Sequence, residues 1–189
     1  MTGPATQHTD LVAALTDWAA PTPEQSELRR RYLGWLDARG EAALRRDGGP
    51  EHLTASCFVL SPDLDRTLLC FHRLGQFWVQ TGGHLEPGDT SVEAAALREA
   101  REESGLTSLV LAPGVQDLDR HVLSAGFGRC RAHWDVGVAA LAAVDEPLQV
   151  SDESEQVAWF SLDALPAPLA GSVAIRVQRI RALVRDRPC

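Results

Sequence analysis

The chain has 189 residues, enough for one well-packed domain with an extension and too few for two ordinary enzyme domains. Apolar residues make up 44% and charged residues 23% of the sequence, a balance that excludes a disordered or fibrous protein. The formal net charge of −8 disfavours non-specific attraction to nucleic acid or to an anionic membrane. A phosphorylated ligand would therefore need a bound cation or local Arg side chains.

The cysteines are scattered along the chain and form no CxxC pair. They are Cys57, Cys70, Cys130 and Cys189. This usage is typical of reduced thiols in a cytoplasmic protein and not of a disulfide or zinc framework. The N-terminus has no signal-peptide pattern, and no window approaches the roughly 18 apolar residues of a membrane span. We therefore expect a cytoplasmic protein with no nucleic-acid or membrane partner.

The first fifty residues predict two helices. Apolar residues recur at helical spacing in the first helix at Leu11, Val12, Leu15 and Trp18. The segment Ala20–Pro23 ends this run, and a second helix is predicted from Glu24 to Arg46. We expect residues 1–50 to form a helical extension that packs on a main domain of residues 51–189. A homodimer formed through these helices is a further expectation.

From His52 onward the pattern changes to short strands and two further helices. Strands are predicted over Leu53–Leu60, Arg66–Arg73, Gln76–Gln80, Leu109–Val122, Arg131–Val144 and Val157–Phe160. A glycine loop and an amphipathic helix, Thr90–Ser104, follow the third strand, with Asp89 or Thr90 as the N-cap. The last predicted helix is Val173–Arg185. Because no βαβ unit repeats, the order favours an α/β fold with a mixed sheet flanked by helices.

The helix after the glycine loop carries a concentrated set of acidic residues. Glu99, Glu102 and Glu103 are spaced i, i+3 and i+4, so their carboxylates project from one side of the helix. Their mutual repulsion is relieved when a hard divalent cation binds the carboxylate oxygens. The preceding glycines allow close approach of the backbone, whose carbonyls are additional oxygen donors. The pattern indicates a magnesium or manganese site.

An isolated acidic helix face is usually a solvated surface, but the neighbouring residues here form a specific pattern. The segment Arg98–Leu106 reads REAREESGL and resembles the second half of the Nudix signature, with Ala100 where a larger aliphatic residue is usual. The Thr-Ala-Ser of residues 54–56 and the His-x-Asp-Val of residues 133–136 resemble a Nudix subgroup with a lengthened signature. The resemblance extends from about residue 50 to about residue 165.

The first half of the signature departs from the common form. Asp89 stands where Glu is usual, and eight residues rather than seven separate it from Arg98. The extra residue leaves open whether Glu86, Asp89 or Glu93 takes the first acidic role. The spacing of the later glutamates is unaffected.

The resemblance implies an α/β/α sandwich that hydrolyses a nucleotide-type substrate, a nucleoside diphosphate linked to another group X, with Mg²⁺ or Mn²⁺ as cofactor. It implies that Glu99, Glu102, Glu103 and the carbonyl oxygen of Gly83 are metal ligands. It also implies catalytic roles for Glu99, Glu102 and Arg98.

Several residues outside this set are further candidates. Additional acids are Asp89, Glu153 and Glu155, and candidate phosphate or substrate contacts are Gly82, His84, Glu86 and Trp78. An aromatic residue in a short strand, such as Trp78, is more often part of the core. A weaker candidate metal set is His121, His133 and Asp135, which fall on two different predicted strands.

Two other functions are compatible with a Nudix-like fold. A nucleotide sensor without turnover is less favoured because a pure binder has no need for three helix carboxylates. An isomerase acting on an allylic diphosphate would need a catalytic Cys and Glu pair, and neither Cys70 nor Cys130 lies in a motif that supports one.

Overall fold

The structure is a computed structural model that describes residues 4–123 and 130–187. The helices are α1 (Pro4–Asp17), α2 (Pro23–Arg39), α3 (Val92–Ser104) and α4 (Val173–Arg185). The strands are β1 (Glu51–Leu60), β2 (Arg66–His72), β3 (Phe77–Val79), β4 (Thr81–His84), β5 (Val110–Leu111), β6 (Asp117–Val122), β7 (Ala132–Leu141) and β8 (Ser154–Ser161).

The strands form one eight-stranded mixed sheet with the order β3-β2-β1-β7-β5. Strand β4 also pairs with β1, β6 with β7, and β8 with β2. The long central strands β1 and β7 are parallel over ten residue pairs, from Glu51↔Ala132 to Leu60↔Leu141. The other pairings are antiparallel. The prediction of a mixed sheet is confirmed.

Helices cover both faces of the sheet because the side chains of β1 alternate between them. Leu53, Ala55 and Cys57 belong to a core cluster that includes the buried residues of α1, α2 and α3. Phe58 and Leu60 belong to a second cluster with Val177 and Ile180 of α4. The architecture is therefore the expected α/β/α sandwich.

The N-terminal helices share the main core. Leu15 of α1 and Tyr32 of α2 are fully buried in the cluster that contains α3. Gln25 of α2 forms two hydrogen bonds of 2.8 Å with the backbone N–H and carbonyl of Leu118, which satisfies part of the edge of β6. Within residues 4–123 and 130–187, no helix has the length and apolar character needed to cross a membrane.

Two predicted helix boundaries were wrong. Helix α2 ends at Arg39 instead of Arg46, because Gly40 adopts φ 55° and a short 3₁₀ helix follows to Leu44. Helix α3 starts at Val92, and Ser91 is its N-cap, with its hydroxyl accepting a 3.1 Å hydrogen bond from Ala94 N–H. Asp89 does not act as the cap because its carboxylate binds Arg98, and Thr90 lies one residue before the N-cap position.

The strand predictions also needed correction. The predicted glycine loop is strand β4, which pairs antiparallel with residues 54–57 of β1. The predicted strand Leu109–Val122 is divided into β5 and β6, with Gly114 between them at φ 74°. Strand β8 extends beyond Val157–Phe160 at both ends because it pairs with the full length of β2.

Gly105 ends α3 in a conformation that disfavours other residues. Its φ is 76°, and a Cβ there would lie 2.8 Å from the Gln149 Cβ. We expect Gly105→Ala to lower the free energy of unfolding by about 1–2 kcal/mol, since an L residue is strained in this conformation. Gly34→Ala is the matched control. Position 34 is exposed within α2 with open space around it, so the same change should stabilise by roughly 0.5–1 kcal/mol. Denaturant unfolding measures both effects, and equal effects of the two changes would contradict this account.

Candidate active site

Strand β4 brings its glycines directly against α3. Gly82 and Gly83 pair with Ser56 and Ala55 of β1. A Cβ added at Gly83 would overlap the carboxylate of Glu99. A Cβ at Gly82 would lie 2.7 Å from the Ala55 carbonyl oxygen, at a φ of 156°. The glycines therefore permit the close contact between this strand and the acidic face of the helix.

A row of small residues seats α3 on the sheet. Val92, Ala96 and Ala100 are buried, as their four-residue spacing predicts. Gly105 closes the helix with its N–H donating to the carbonyl of Arg101 at 2.8 Å. The caps and this apolar row fix the direction of the opposite, acidic face.

The three glutamates of α3 differ in burial. The side chain of Glu102 is 57% exposed and that of Glu99 15% exposed, whereas Glu103 is buried. Burial raises the pKa of Glu103 to about 8, although its carboxylate accepts a 3.0 Å hydrogen bond from Gly82 N–H. Burial also raises the pKa of Glu99, and the negative charge of Glu102 adds to this effect. The arrangement disfavours full ionisation of the three groups unless a cation binds.

Arg98 connects the acidic residues of the site. Its Nε and Nη2 atoms donate to both oxygens of Asp89 at 3.0 Å. Its Nη1 donates to Glu99 at 2.9 Å and to Glu102 at 3.1 Å. The hydrogen bond with Asp89 is the main cause that raises the pKa of Arg98. The guanidinium thereby holds two of the helix carboxylates in place.

The ion pairs of Arg98 also distinguish among the candidates for the first acidic position. Asp89 is buried and binds Arg98 through both oxygens, whereas the Glu86 carboxylate is 64% exposed and 3.9 Å from Arg98. The backbone carbonyl of Asp89 also accepts a hydrogen bond from the Gln7 side chain of α1. The N-terminal extension therefore contacts the segment that leads into α3.

The two candidate acids near β8 have different surroundings. Glu153 is exposed in the turn before β8, and its charge raises the pKa of both Glu99 and Glu103. The Glu155 carboxylate instead accepts a 2.9 Å hydrogen bond from the Gln76 side chain. Of the two acids, Glu153 is therefore the one whose charge acts on carboxylates of α3.

Trp78 lies in the core. It is 8% exposed, and its ring packs edge-on against Phe71 and Phe160, with centroid separations of 5.2 and 4.6 Å.

The backbone carbonyl of His84 accepts a 2.9 Å hydrogen bond from Arg98. The His84 side chain points to the face opposite Gly83, because neighbouring residues of a strand alternate.

The weaker metal set predicted from His121, His133 and Asp135 is not assembled. His121 binds the Asp119 carboxylate at 2.9 Å. Asp135 is bound by Thr54 and Arg176, both at 2.8 Å. In the part of the chain that the structure describes, ligand atoms come together instead from His52, His84, Cys130 and His133. Sequence reasoning missed this cluster because it depends on the register between β1, β4 and β7.

Comparison with known proteins agrees with this geometry. Residues 50–179 match the model of the NUDIX domain. A dihydroneopterin triphosphate pyrophosphohydrolase from E. coli superposes with a TM-score of 0.60 and 18% identity, covering 69% of this chain and 95% of that one. A C. elegans Ap4A hydrolase gives 0.59 and 18%, covering 71% and 98%. The NUDIX domain of Shewanella oneidensis NrtR, complexed with ADP ribose, gives 0.54 and 21%, covering 70% and 87%.

The chain belongs to the Nudix family, because the matched segment spans more than half of its length and contains α3 with its complete acidic set. A pyrophosphohydrolase, the enzyme class that the sequence predicts, is consistent with membership of this family.

Proposed function

We propose that the protein is a Mg²⁺-dependent hydrolase that cleaves the pyrophosphate linkage of a nucleoside diphosphate linked to another group X. The observation that carries the proposal is the set of three carboxylates on one side of α3, next to the backbone of Gly83. The burial of Glu99 and Glu103 and the repulsion among the three carboxylates raise the pKa of Glu99 and Glu103, and a cation would relieve this cost.

The donor set fits magnesium. Glu99, Glu102, Glu103 and the Gly83 carbonyl offer oxygen ligands alone, which are the ligands that Mg²⁺ and Mn²⁺ prefer. When bound, such a cation neutralises phosphate charge and activates water for attack. The exposed Glu102 gives the site access to solvent and substrate.

The proposed roles of the protein's own groups follow from their contacts. Arg98 positions Glu99 and Glu102, and Asp89 fixes the Arg98 guanidinium. Asp89 would thus hold the first acidic position of a signature lengthened by one residue. Glu153 is the additional acid that we assign to the site, because its charge already acts on Glu99 and Glu103.

Two alternatives predict different outcomes. A sensor would bind a nucleotide without hydrolysing it. The similar NrtR domain is complexed with ADP ribose, which is therefore a specific ligand to consider for this alternative. An isomerase of allylic diphosphates would need a reactive thiol. Burial instead raises the pKa of Cys57 to about 12 and also raises that of Cys70, which disfavours the thiolate.

A substrate panel tests the proposal. The full chain is incubated with Mg²⁺ or Mn²⁺ and with nucleoside diphosphates linked to sugars, nucleosides or other groups, and products are separated by chromatography. We expect cleavage of at least one compound into two phosphorylated products, and no cleavage with excess chelator. Thermal stabilisation by a panel member without turnover would support the sensor. Proton exchange into an isopentenyl-type diphosphate would support the isomerase.

Gly83→Ala should impair turnover through the geometry of the metal ligands. The added methyl group would displace the Glu99 carboxylate, and a displacement of about 1 Å costs on the order of 100-fold in rate. Gly88→Ala is the matched control because, apart from Gly88 and its two chain neighbours, no atom of the described residues lies within 4 Å of the methyl position. We expect kcat/KM to fall only in Gly83→Ala. Equal activity of both variants would contradict the proposed placement of Glu99.

A further inference from the structure

A second cluster of metal-ligating side chains lies outside the site of α3. It consists of His52 of β1, His84 of β4, His133 of β7 and Cys130, which precedes β7. One ligand atom from each residue lies within 4.8 Å of all the others. Three strands of the sheet therefore converge on one point through nitrogen and sulfur atoms.

The cluster and the carboxylates of α3 lie on opposite faces of the sheet. His52 pairs with His133, and His84 pairs with Thr54, which is on the same face of β1 as His52. Thr54 is bonded to Asp135, which binds Arg176 of α4, so this is the face covered by α4. Gly83 faces α3. The two sets of ligands are therefore separated by the sheet.

The imidazoles are prepared to act as neutral ligands. His52 Nδ1 lies 3.4 Å from the Gly49 carbonyl, a contact that directs the Nε2 lone pair toward the cluster. His84 Nε2 is 2.8 Å and Cys130 Sγ is 3.9 Å from that Nε2 atom. Burial lowers the pKa of His84 to about 4 and of His133 to about 3.

His133 supplies an independent observation. Its Nε2 atom is buried and has no hydrogen-bond partner among residues 4–123 and 130–187. A buried polar atom without a partner is destabilising, so native structures rarely keep one without a compensating interaction. The neighbouring His121 does not satisfy it, because His121 binds the Asp119 carboxylate and meets His133 only ring to ring, at 5.4 Å.

We propose that His52, His84, His133 and Cys130 form a structural zinc site, distinct from the metal site on α3. Three imidazoles and one thiolate complete the tetrahedral shell that zinc takes in closed structural sites. Ligand distances of about 2.0–2.3 Å in such a shell place the donor atoms roughly 3.3–3.7 Å apart. The two separations from His52 Nε2, 2.8 Å to His84 and 3.9 Å to Cys130, lie on either side of this range, and all four ligand atoms lie within 4.8 Å of one another, so shifts of about 1 Å in the side chains would complete the shell.

The chemistry of the donors selects the ion. Mg²⁺ prefers oxygen ligands, whereas thiolate and imidazole together favour zinc and related transition metals. The positive charge of Arg46 lowers the pKa of all three histidines. Because Arg46 is exposed, solvent screens this charge. A bound zinc ion would join β1, β4 and β7, and so hold the strand that contains Gly83.

Metal content and cobalt spectroscopy on the full chain test this proposal without any substrate. The protein is purified without chelator, and zinc is measured by mass spectrometry. We expect about one zinc ion per chain, retained against excess Mg²⁺. Co²⁺ added to the metal-free chain should give intense tetrahedral absorption with a thiolate charge-transfer band.

Variants assign the site to these residues. His133→Ala should weaken zinc binding by more than the roughly 10–100-fold that loss of an outer-shell partner costs. Cys130→Ser should remove the cobalt thiolate band, and this conservative change keeps the assay informative if His133→Ala fails to fold. His121→Ala, on the same face, and Glu103→Gln, on α3, should retain zinc. Absence of the thiolate band in the unaltered chain, zinc retained by His133→Ala, or zinc lost in Glu103→Gln would each overturn the proposal.

Discussion

Glu102→Gln is expected to lower kcat by roughly 100- to 1000-fold on the panel compound that the enzyme cleaves fastest. The change removes one negative charge from the proposed metal site and keeps the shape of the side chain. Glu102 is the most exposed of the three glutamates, and its described partner is Arg98, which retains Asp89 and Glu99. The stability of the protein should therefore change by no more than about 0.5 kcal/mol.

Glu93→Gln is the matched control for this loss of activity. Glu93 lies in the first turn of the same helix, and its replacement removes the same charge outside the cluster of Glu99, Glu102 and Glu103. Initial rates at saturating Mg²⁺ and thermal unfolding are measured for both variants. Equal rates for the two variants would contradict a role for Glu102 at the reaction centre. If Glu102→Gln unfolds while Glu93→Gln stays folded, the exposed position of the Glu102 side chain would be contradicted.

Arg176→Met is expected to lower the free energy of unfolding by about 3–5 kcal/mol, the largest stability effect among these variants. Arg176 is 3% exposed and lies between two buried carboxylates, 2.5 Å from Asp117 and 2.8 Å from Asp135. Burial already raises the pKa of Asp117 despite this pairing. Without the guanidinium, two negative charges would remain in the interior with fewer partners.

The pH dependence of the free energy of unfolding distinguishes lost charge pairing in Arg176→Met from lost packing. In Arg176→Met the folded-state pKa of Asp117, which burial already raises, should rise further above its unfolded value because the lowering effect of Arg176 is lost. The folded state then binds more protons, so the stability deficit should shrink as the pH falls. The triple variant with Asp117→Asn and Asp135→Asn should recover stability at neutral pH. A deficit that stays constant with pH and persists in the triple variant would indicate lost packing instead.

The sequence was most informative where function depends on local spacing. Glu99, Glu102 and Glu103 share one helix face because of the helical period alone, and Gly105 ends the helix for a reason intrinsic to glycine. The row Val92, Ala96 and Ala100 follows from the same period. The position of α3 and its acidic face could therefore be predicted without knowledge of the tertiary structure.

Contacts between distant segments could not be predicted in this way. The role of Asp89 depends on the path of the chain before α3. Because the signature has one extra residue there, the sequence alone does not distinguish Glu86, Asp89 and Glu93 as candidates for the first acidic role. Asp117, Asp135 and Arg176 are joined through α4 and two strands, and the last two partners are 41 positions apart in the sequence. His52 and His133 meet only through the parallel register of β1 and β7. Both strands are buried along almost their whole length, so a single sequence has no alternation of apolar and polar residues from which this register could be read.

The proposed metal site on α3 is tested most directly by Mn²⁺ binding, followed through the electron paramagnetic resonance signal of the free ion. The comparison uses the unaltered chain, the double variant Glu99→Gln with Glu103→Gln, and His133→Ala. We expect Mg²⁺ to compete for the Mn²⁺ site, the double variant to bind Mn²⁺ at least about 10-fold more weakly, and His133→Ala to bind it normally. Unchanged Mn²⁺ affinity in the double variant would contradict the assignment of the metal to α3.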